Sequence, residues 1–547
     1  MSTAADRDHL AGARTLWELL ERRAALTPDA PMLIQPADGN RPDADRHGGD
    51  SHGADRVLTF RQVRDRAERI AAGLRDRYGV GRDTPVAWQL PTRIETVLVS
   101  LALSRLEAVQ TPVIAIYRGS EVGQILRESG AELVLTPGTW RGFDYVAFAE
   151  KLAAPRVLVA YHEDDLPQGD PATLPPPPRT DLDDDRAPVR WVYYTSGTTS
   201  VPKGALHTDR TLIAGGLGLA AALDMGPEDV GSIAFPYAHI GGPDYLVTVL
   251  AHGFPTLLVE VFALSDALPG YRRAGVTMAG GSTAFYAAFL AAQRALPPGE
   301  RLLPSLRLIS GGGAPRPPAM YREVAEELGC VLAHGYGMTE APAICMGSPR
   351  DTPEQLAYTE GHPVQGVEVR VVRTDGLPAA TGEDGEVRLR GPMVCRGYTD
   401  PALTRQSFDP DGWFRTGDLG HVRADGHVVL TGRLKDIIIR KGENISAKEI
   451  EDLIYQDPRV GAVAVIGLPD PVRGERVCAV VERRPGTEPP TLAEIAERLR
   501  TGGLMTQKIP EQLEIVDALP INETLRKVLK HELRDRYAQQ PWTDPRG

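Results

Sequence analysis

YYTSGTTSVPKGALHT, residues 193–208, crowds five hydroxyl side chains, Thr195, Ser196, Thr198, Thr199 and Ser200, around Gly197 and then places Lys203 between Pro202 and Gly204. Glycine and hydroxyl residues at this density suit a loop whose backbone N–H groups surround an anion, with a lysine supplying positive charge. A Walker-type loop needs G-x-x-x-x-G-K-[ST], and here the lysine follows proline and precedes glycine, so that pattern fails. The plain alternative is a surface turn, since Gly, Ser, Thr and Pro make turns in every fold.

Upstream, LTFRQVRDRAERIAAGL (58–74) sets Val63, Ala67, Ile70 and Leu74 on one helical face, with Thr59 and Gln62 at capping-box spacing. Short apolar runs alternate with such helices: PVAWQL, AELVLT, RVLVAY, PTLLVEV and LRLISGG. Strand alternating with helix predicts an α/β protein with a largely parallel sheet. Residues 38–56 carry almost no apolar anchor and read as a mobile surface insertion, and the proline-rich acidic run 170–188 reads as an unstructured connector. The texture changes near residue 385, where GEVRLRG, GHVVLTGR and KDIIIRKG are short strand-like runs punctuated by glycine. A compact helix–strand–strand–helix set follows GRLKD, which is the size of a small α+β domain. The expected division is therefore a large N-terminal domain, 1–434, of layered sheets and helices, and a small mobile C-terminal domain, 435–547.

With 547 residues, the chain is long enough for several core-bearing units, and its 42% hydrophobic and 24% charged content is ordinary for a globular protein. A net charge of -12 argues against nucleic acid as a partner, while a local cradle can still hold an anionic nucleotide. MSTAADRDHL lacks the basic and apolar segments of a secretory signal, and LIAGGLGLAAAL (212–223) is too short to span a bilayer. The four cysteines form no close pair, so neither a zinc site nor a disulfide framework is expected and a cytoplasmic location is.

Five further stretches bear on the opening loop: FPYAHIGG (235–242), ISGGGAPRP (309–317), HGYGMTEAP (334–342), WFRTGDLG (413–420) and GRLKDIIIRKGENISAKEIE (432–451). Singly, each has a dull explanation: a loop, a solvated carboxylate at Glu340 or Asp418, a core histidine at His239. In this order and at these separations they resemble, motif by motif, the adenylate-forming superfamily of acyl-CoA synthetases, nonribosomal-peptide adenylation domains and luciferases. The resemblance runs from about residue 58 to Arg534 and implies that the opening loop is a phosphate cradle in a protein that cleaves ATP between its α and β phosphates.

What the resemblance implies for single residues is specific. Thr195, Ser196, Gly197, Thr198, Thr199 and Lys203 would cover the β and γ phosphates. Glu340 would hold Mg²⁺, an oxygen-seeking ion that bridges phosphates, and Thr339 would touch the α-phosphate. Tyr336, followed by Gly337, would stack on adenine, with Gly313, Ala314 and Pro315 as the opposite wall. Asp418 would accept both ribose hydroxyls, assisted by Arg433. Lys435 matches the hinge about which the small domain rotates. Lys441, Gly442 and Glu443 match the stretch presented to the pantetheine arm of CoA, and His239 matches a gate between acyl pocket and tunnel.

The chain departs from the family's pattern twice. Ser200 stands where glycine is usual, and a Cβ there narrows the accessible φ. Near the carboxyl terminus, LPINETLRKVLKHELR (519–534) makes Lys527 the counterpart of the adenylation lysine, but Leu525 and Arg526 replace its preceding glycine with one residue gained. Arg526 is therefore an alternative for that role.

The expected function is ATP-dependent activation of a small-molecule carboxylic acid followed by thioester formation with CoA. Few aromatic residues and three consecutive glycines, Gly311, Gly312 and Gly313, suggest a roomy pocket for a medium, cyclic or aromatic acid. A fused carrier-protein segment is not expected, and a homodimer is left open. A second reading keeps ATP but activates nitrite for diazotisation of an aromatic amine without CoA; a third is a nucleotide-binding regulator without activity.

Overall fold

The helix Phe60–Tyr78 begins at the capping box anticipated from Thr59 and Gln62 and ends at Gly79, whose φ of 71° suits a residue without a Cβ. Its buried face, including Val63, Ala67, Ile70 and Leu74, packs against Ile94–Arg105, a helix buried on all sides. The computed structural model describes residues 10, 12–37, 54–179, 186–195, 202–313, 316–440, 443–521 and 528–538.

Beside these helices lies a six-stranded sheet. From one edge its strands run Lys203–His207, Trp191–Thr195, Val109–Pro112, Pro85–Trp88, Leu133–Thr136 and Val157–Val159. All its pairings are parallel except the edge hairpin formed by the first two. A second, five-stranded sheet runs Met278–Gly281, Leu308–Gly312 and Val331–Met338 in parallel, then turns back through Ala341–Met346 to His362–Pro363. A four-stranded sheet combines Gly231–Ile233, Thr256–Leu258, Pro31–Gln35 and Arg56–Thr59. The α/β expectation holds, with the strands divided among several sheets because each face needs its own helical cover.

The 212–223 stretch lies largely in the helix Asp209–Ala222, which packs on Gly241–His252. There Gly216 allows contact: a Cβ would stand 2.5 Å from Val247 Cβ. The proline-rich run is better ordered than its composition suggests. Asp170 caps the short turn Pro171–Thr173, and the buried Arg105 donates to the carbonyl of Pro175. Most of the insertion, and 180–185 within the connector, lie outside the described residues.

An antiparallel sheet follows, Glu368–Val372, Gly385–Arg390, Phe414–Val422 and Val428–Arg433. After the single turn Leu434–Asp436, the chain enters a last sheet built from Ile437–Arg440, Glu443–Ser446, Val460–Asp470, Gly474–Arg483 and Gln512–Val516. The helices Ala447–Ile454 and Leu492–Thr501 cover one side and share their own apolar core with it. Large N-terminal and small C-terminal parts thus each have a core. Among the described residues no helix is long and apolar enough to cross a membrane.

Candidate active site

Three sheets converge on the residues singled out from sequence. The edge hairpin of the six-stranded sheet places Lys203 directly opposite Thr195 at the mouth of the hydroxyl-rich loop. Ser196, Gly197, Thr198 and Thr199 lie outside the described residues, so the structure fixes the two ends of the loop and not its path.

The turn between Val331–Met338 and Ala341–Met346 carries Thr339 and Glu340. Gly337 permits that turn, because a Cβ there would lie 2.2 Å from the carbonyl oxygen of Pro342. The turn is held from outside. His207 Nε2 lies 2.8 Å from the Thr339 carbonyl oxygen, the Cys395 N–H donates to the Glu340 carbonyl at 2.8 Å, and Tyr398 Oη donates to Glu340 Oε1 at 2.6 Å. Neither His207 nor Tyr398 was picked out from sequence. The signal for His207 was within the opening stretch itself, and Tyr398 lay in GYTD at 397–400, a stretch matched to none of the motifs quoted above.

Tyr336 is buried, and its hydroxyl donates to Asp418 Oδ2 at 2.6 Å. Arg433 Nε lies 2.8 Å from Asp418 Oδ1, because the two residues face each other across adjacent strands. The Asp418 N–H donates to Thr416 Oγ1, which in turn donates to the Val387 carbonyl. Tyr336, Asp418 and Arg433 therefore form one hydrogen-bonded line, and the tyrosine hydroxyl is committed to the carboxylate. Burial and the neighbouring Asp418 push that phenol well above its ordinary range, so it remains a donor.

Gly313 follows the strand Leu308–Gly312 with φ of 79°, in the left-handed region that favours glycine; Ala314 and Pro315 lie outside the described residues. The preceding glycines are not empty space. A Cβ on Gly311 would stand 1.7 Å from the Gly281 carbonyl oxygen and 2.7 Å from Tyr286 Oη, and one on Gly280 would stand 1.7 Å from the Ser310 carbonyl oxygen. Aromatic rings also stand here: Phe285 lies against Gly281, and its ring centroid is 4.1 Å from that of Phe262. The premise that Gly311 and Gly312 open space is corrected accordingly: both admit the close approach of a neighbouring backbone.

His239 Nδ1 accepts from the Gly241 N–H, and with Tyr193, Tyr194, Ile240 and Thr339 it lines a cavity of about 30 Å³. Lys435 is exposed in the turn between the last two sheets, and its neighbour Asp436 pairs with Arg534 at 2.9 Å. Gly442 and Lys527, with Lys441, Leu525 and Arg526, lie outside the described residues, as does the side chain of Glu443.

No cluster of three or more His, Cys, Asp or Glu able to hold a metal occurs among the described residues. A lone Glu340 still fits Mg²⁺, which binds through one or two carboxylates together with substrate phosphates and water.

Comparison with known proteins gives the family. The family model described as AMP-binding enzyme matches residues 20–399, and that of the AMP-binding enzyme C-terminal domain matches 449–525. The sulfoacetate–CoA ligase of Cupriavidus necator is 31% identical over 515 residues, covering 92% of this chain and 95% of that protein. A salicylyl-CoA synthase / salicylate adenylyltransferase of a Streptomyces species is 32% identical, covering 88% and 89%. Among solved structures, the O-succinylbenzoate coenzyme A synthetase of Bacillus subtilis in complex with ATP and magnesium ion superposes with a TM-score of 0.77 at 27% identity, covering 94% of this chain and 99% of that one. The chain belongs to the AMP-binding enzyme family, the adenylate-forming enzymes.

Proposed function

We propose that this protein is an AMP-forming acid–CoA ligase: it activates a carboxylic acid with ATP as an acyl-adenylate and then transfers the acyl group to CoA. The observation that carries the reading is the convergence of two half-sites from three sheets. The Tyr336–Asp418–Arg433 line is fitted to a ribose, and the Lys203–Thr195 loop mouth with Glu340 is fitted to phosphates. The relatives' own names, a sulfoacetate–CoA ligase and a salicylyl-CoA synthase, support the reaction class.

A carboxylate is a poor electrophile because its charge is delocalised onto the carbonyl. In the first step a carboxylate oxygen attacks the α-phosphorus of ATP, the α–β bridging bond breaks, and pyrophosphate leaves. Lys203, the N–H groups of the loop 196–201 and Thr339 offset the charge that develops as two anions approach. Glu340 would hold Mg²⁺, which would supply charge neutralisation at the phosphates. Asp418 accepts the ribose hydroxyls, with its carboxylate aimed by Tyr336 and Arg433, and the Tyr336 ring and Gly313–Pro315 flank the adenine. In the second step the CoA sulfur attacks the acyl carbon and AMP leaves.

We assign Lys527 to the first step and the 441–443 stretch, with Gly442, to the second. Exchange between them would be a rotation about Lys435, which makes 434/435 the functional boundary. His239 gates the path between acid and thiol. Phe235, which with His239 flanks Gly241, and Phe285, which lies against Gly281 with Phe262 packed on it, offer ring faces that suit a cyclic or aromatic acid. Four buried, unbridged cysteines suit a reducing, cytoplasmic setting. The diazotisation reading gains no support from the relatives above.

The test is pyrophosphate release from ATP across a panel of aliphatic, cyclic and aromatic acids, with and without CoA, beside nitrite with an aminoarene. Release with an acid, accompanied by CoA consumption, is expected. Release with nitrite and an aminoarene alone would replace this reading by the diazotase.

A further inference from the structure

The turn that carries Thr339 and Glu340 is braced by partners that all belong to one neighbouring ribbon. His207 closes the strand Lys203–His207, and Cys395 and Tyr398 belong to the segment laid along it. That segment is bonded to the strand repeatedly: Thr399 N–H to the Gly204 carbonyl, Arg396 N–H to the Leu206 carbonyl, Leu206 N–H to the Gly397 carbonyl, and Ala205 bridged to Tyr398. The strand that leaves the phosphate loop at Lys203 thus also ends on the residue that grips Thr339.

The grip is directional. His207 is fully buried, with Nδ1 2.9 Å from Thr211 Oγ1 and Nε2 2.8 Å from the Thr339 carbonyl oxygen. A carbonyl can only accept, so the proton belongs on Nε2; Nδ1 then faces the Thr211 hydroxyl, whose single proton it shares with the Thr208 carbonyl 2.8 Å away. Burial pushes the imidazole down to about 4, which keeps this neutral arrangement through the physiological range. An apolar core would need no such residue here; the histidine spans, with polar atoms at both ends, from the start of a helix to the turn.

We propose that His207 is a positioning residue for adenylation: it sets the register of the Thr339–Glu340 turn against the strand Lys203–His207, so that Glu340 and Lys203 engage the same triphosphate. This rests on the assignment of Glu340 to Mg²⁺. It also predicts a coupling that ordinary core packing does not, between His207 and the gain in nucleotide affinity that Mg²⁺ confers.

The probe is α,β-methylene-ATP, bound by the full-length protein with no acid present, titrated with and without Mg²⁺; thermal unfolding is recorded in parallel. In the wild type Mg²⁺ tightens binding, and Glu340→Ala abolishes that gain. His207→Leu, which orphans the Thr339 carbonyl, is expected to cut the gain about tenfold. His207→Gln, whose amide reaches the position of Nε2, recovers most of it, whereas His207→Asn, which reaches only the Nδ1 position, does not. Since Gln and Asn both keep the site polar, this pair carries the test even if the leucine variant fails to fold. Equal behaviour of Gln and Asn, or a wild-type Mg²⁺ gain in His207→Leu, overturns the proposal. A Glu340→Ala variant that keeps the full gain instead removes the metal assignment beneath it.

Discussion

Asp418→Ala is expected to raise the KM for ATP by roughly 10- to 100-fold and to lower kcat with it, since a hydrogen bond to a charged group contributes about 1.5–3 kcal/mol. The carboxylate is buried and already holds Tyr336 at Oδ2 and Arg433 at Oδ1, so its remaining lone pairs have fixed directions. Removing it also strands the Tyr336 hydroxyl and frees Arg433 to swing toward solvent. The specific sign is discrimination by sugar: the wild type should prefer ATP over 2′-deoxy-ATP, and the variant should lose most of that preference. Steady-state kinetics with both nucleotides measure it. Undiminished preference in the variant would remove Asp418 from the ribose.

Gly311→Ala should cost about 3 kcal/mol of stability, at the upper end of overpacking effects. The added Cβ would sit 1.7 Å from the carbonyl oxygen and 2.6 Å from the carbonyl carbon of Gly281, so a backbone rather than a side chain must give way. The two strands are parallel neighbours, paired from Met278 with Leu308 to Gly281 with Gly311. Separating them displaces Gly313 two residues on, and the ATP KM should rise together with the loss of stability. Urea unfolding followed by fluorescence checks the first effect and kinetics the second. An unchanged midpoint would mean that the strand spacing is softer than this contact requires.

Elements with their own periodicity were legible in the sequence. The capped helix from Phe60, the strands at Pro85, Leu133, Thr256 and Leu308, and the helix–strand–strand–helix order after Lys435 each follow from local patterning. The hairpin that pairs Lys203 with Thr195 was not anticipated, because the glycine- and hydroxyl-rich stretch between them carries no strand periodicity. Nor were contacts of long sequence separation. Tyr336 meets Asp418 across 82 residues, and only a resemblance could place both at one nucleotide. Their direct bond, which turns the tyrosine from a stacking ring alone into an aiming device for the carboxylate, has no local signature. Gly311 and Gly312 were misread because composition cannot tell a missing side chain that opens space from one that admits a neighbouring backbone. His207 and Tyr398 escaped notice because neither residue type announces a carbonyl or carboxylate brace.

The central claim is that the acid's own oxygen becomes bonded to the α-phosphorus of ATP. The direct measurement uses an acid accepted by the enzyme, labelled with ¹⁸O in both carboxylate oxygens, in a single turnover with ATP and CoA, followed by mass spectrometry of the products. An acyl-adenylate route predicts AMP carrying one ¹⁸O and a thioester retaining one. Unlabelled AMP, or ADP with ¹⁸O-labelled phosphate, would contradict it.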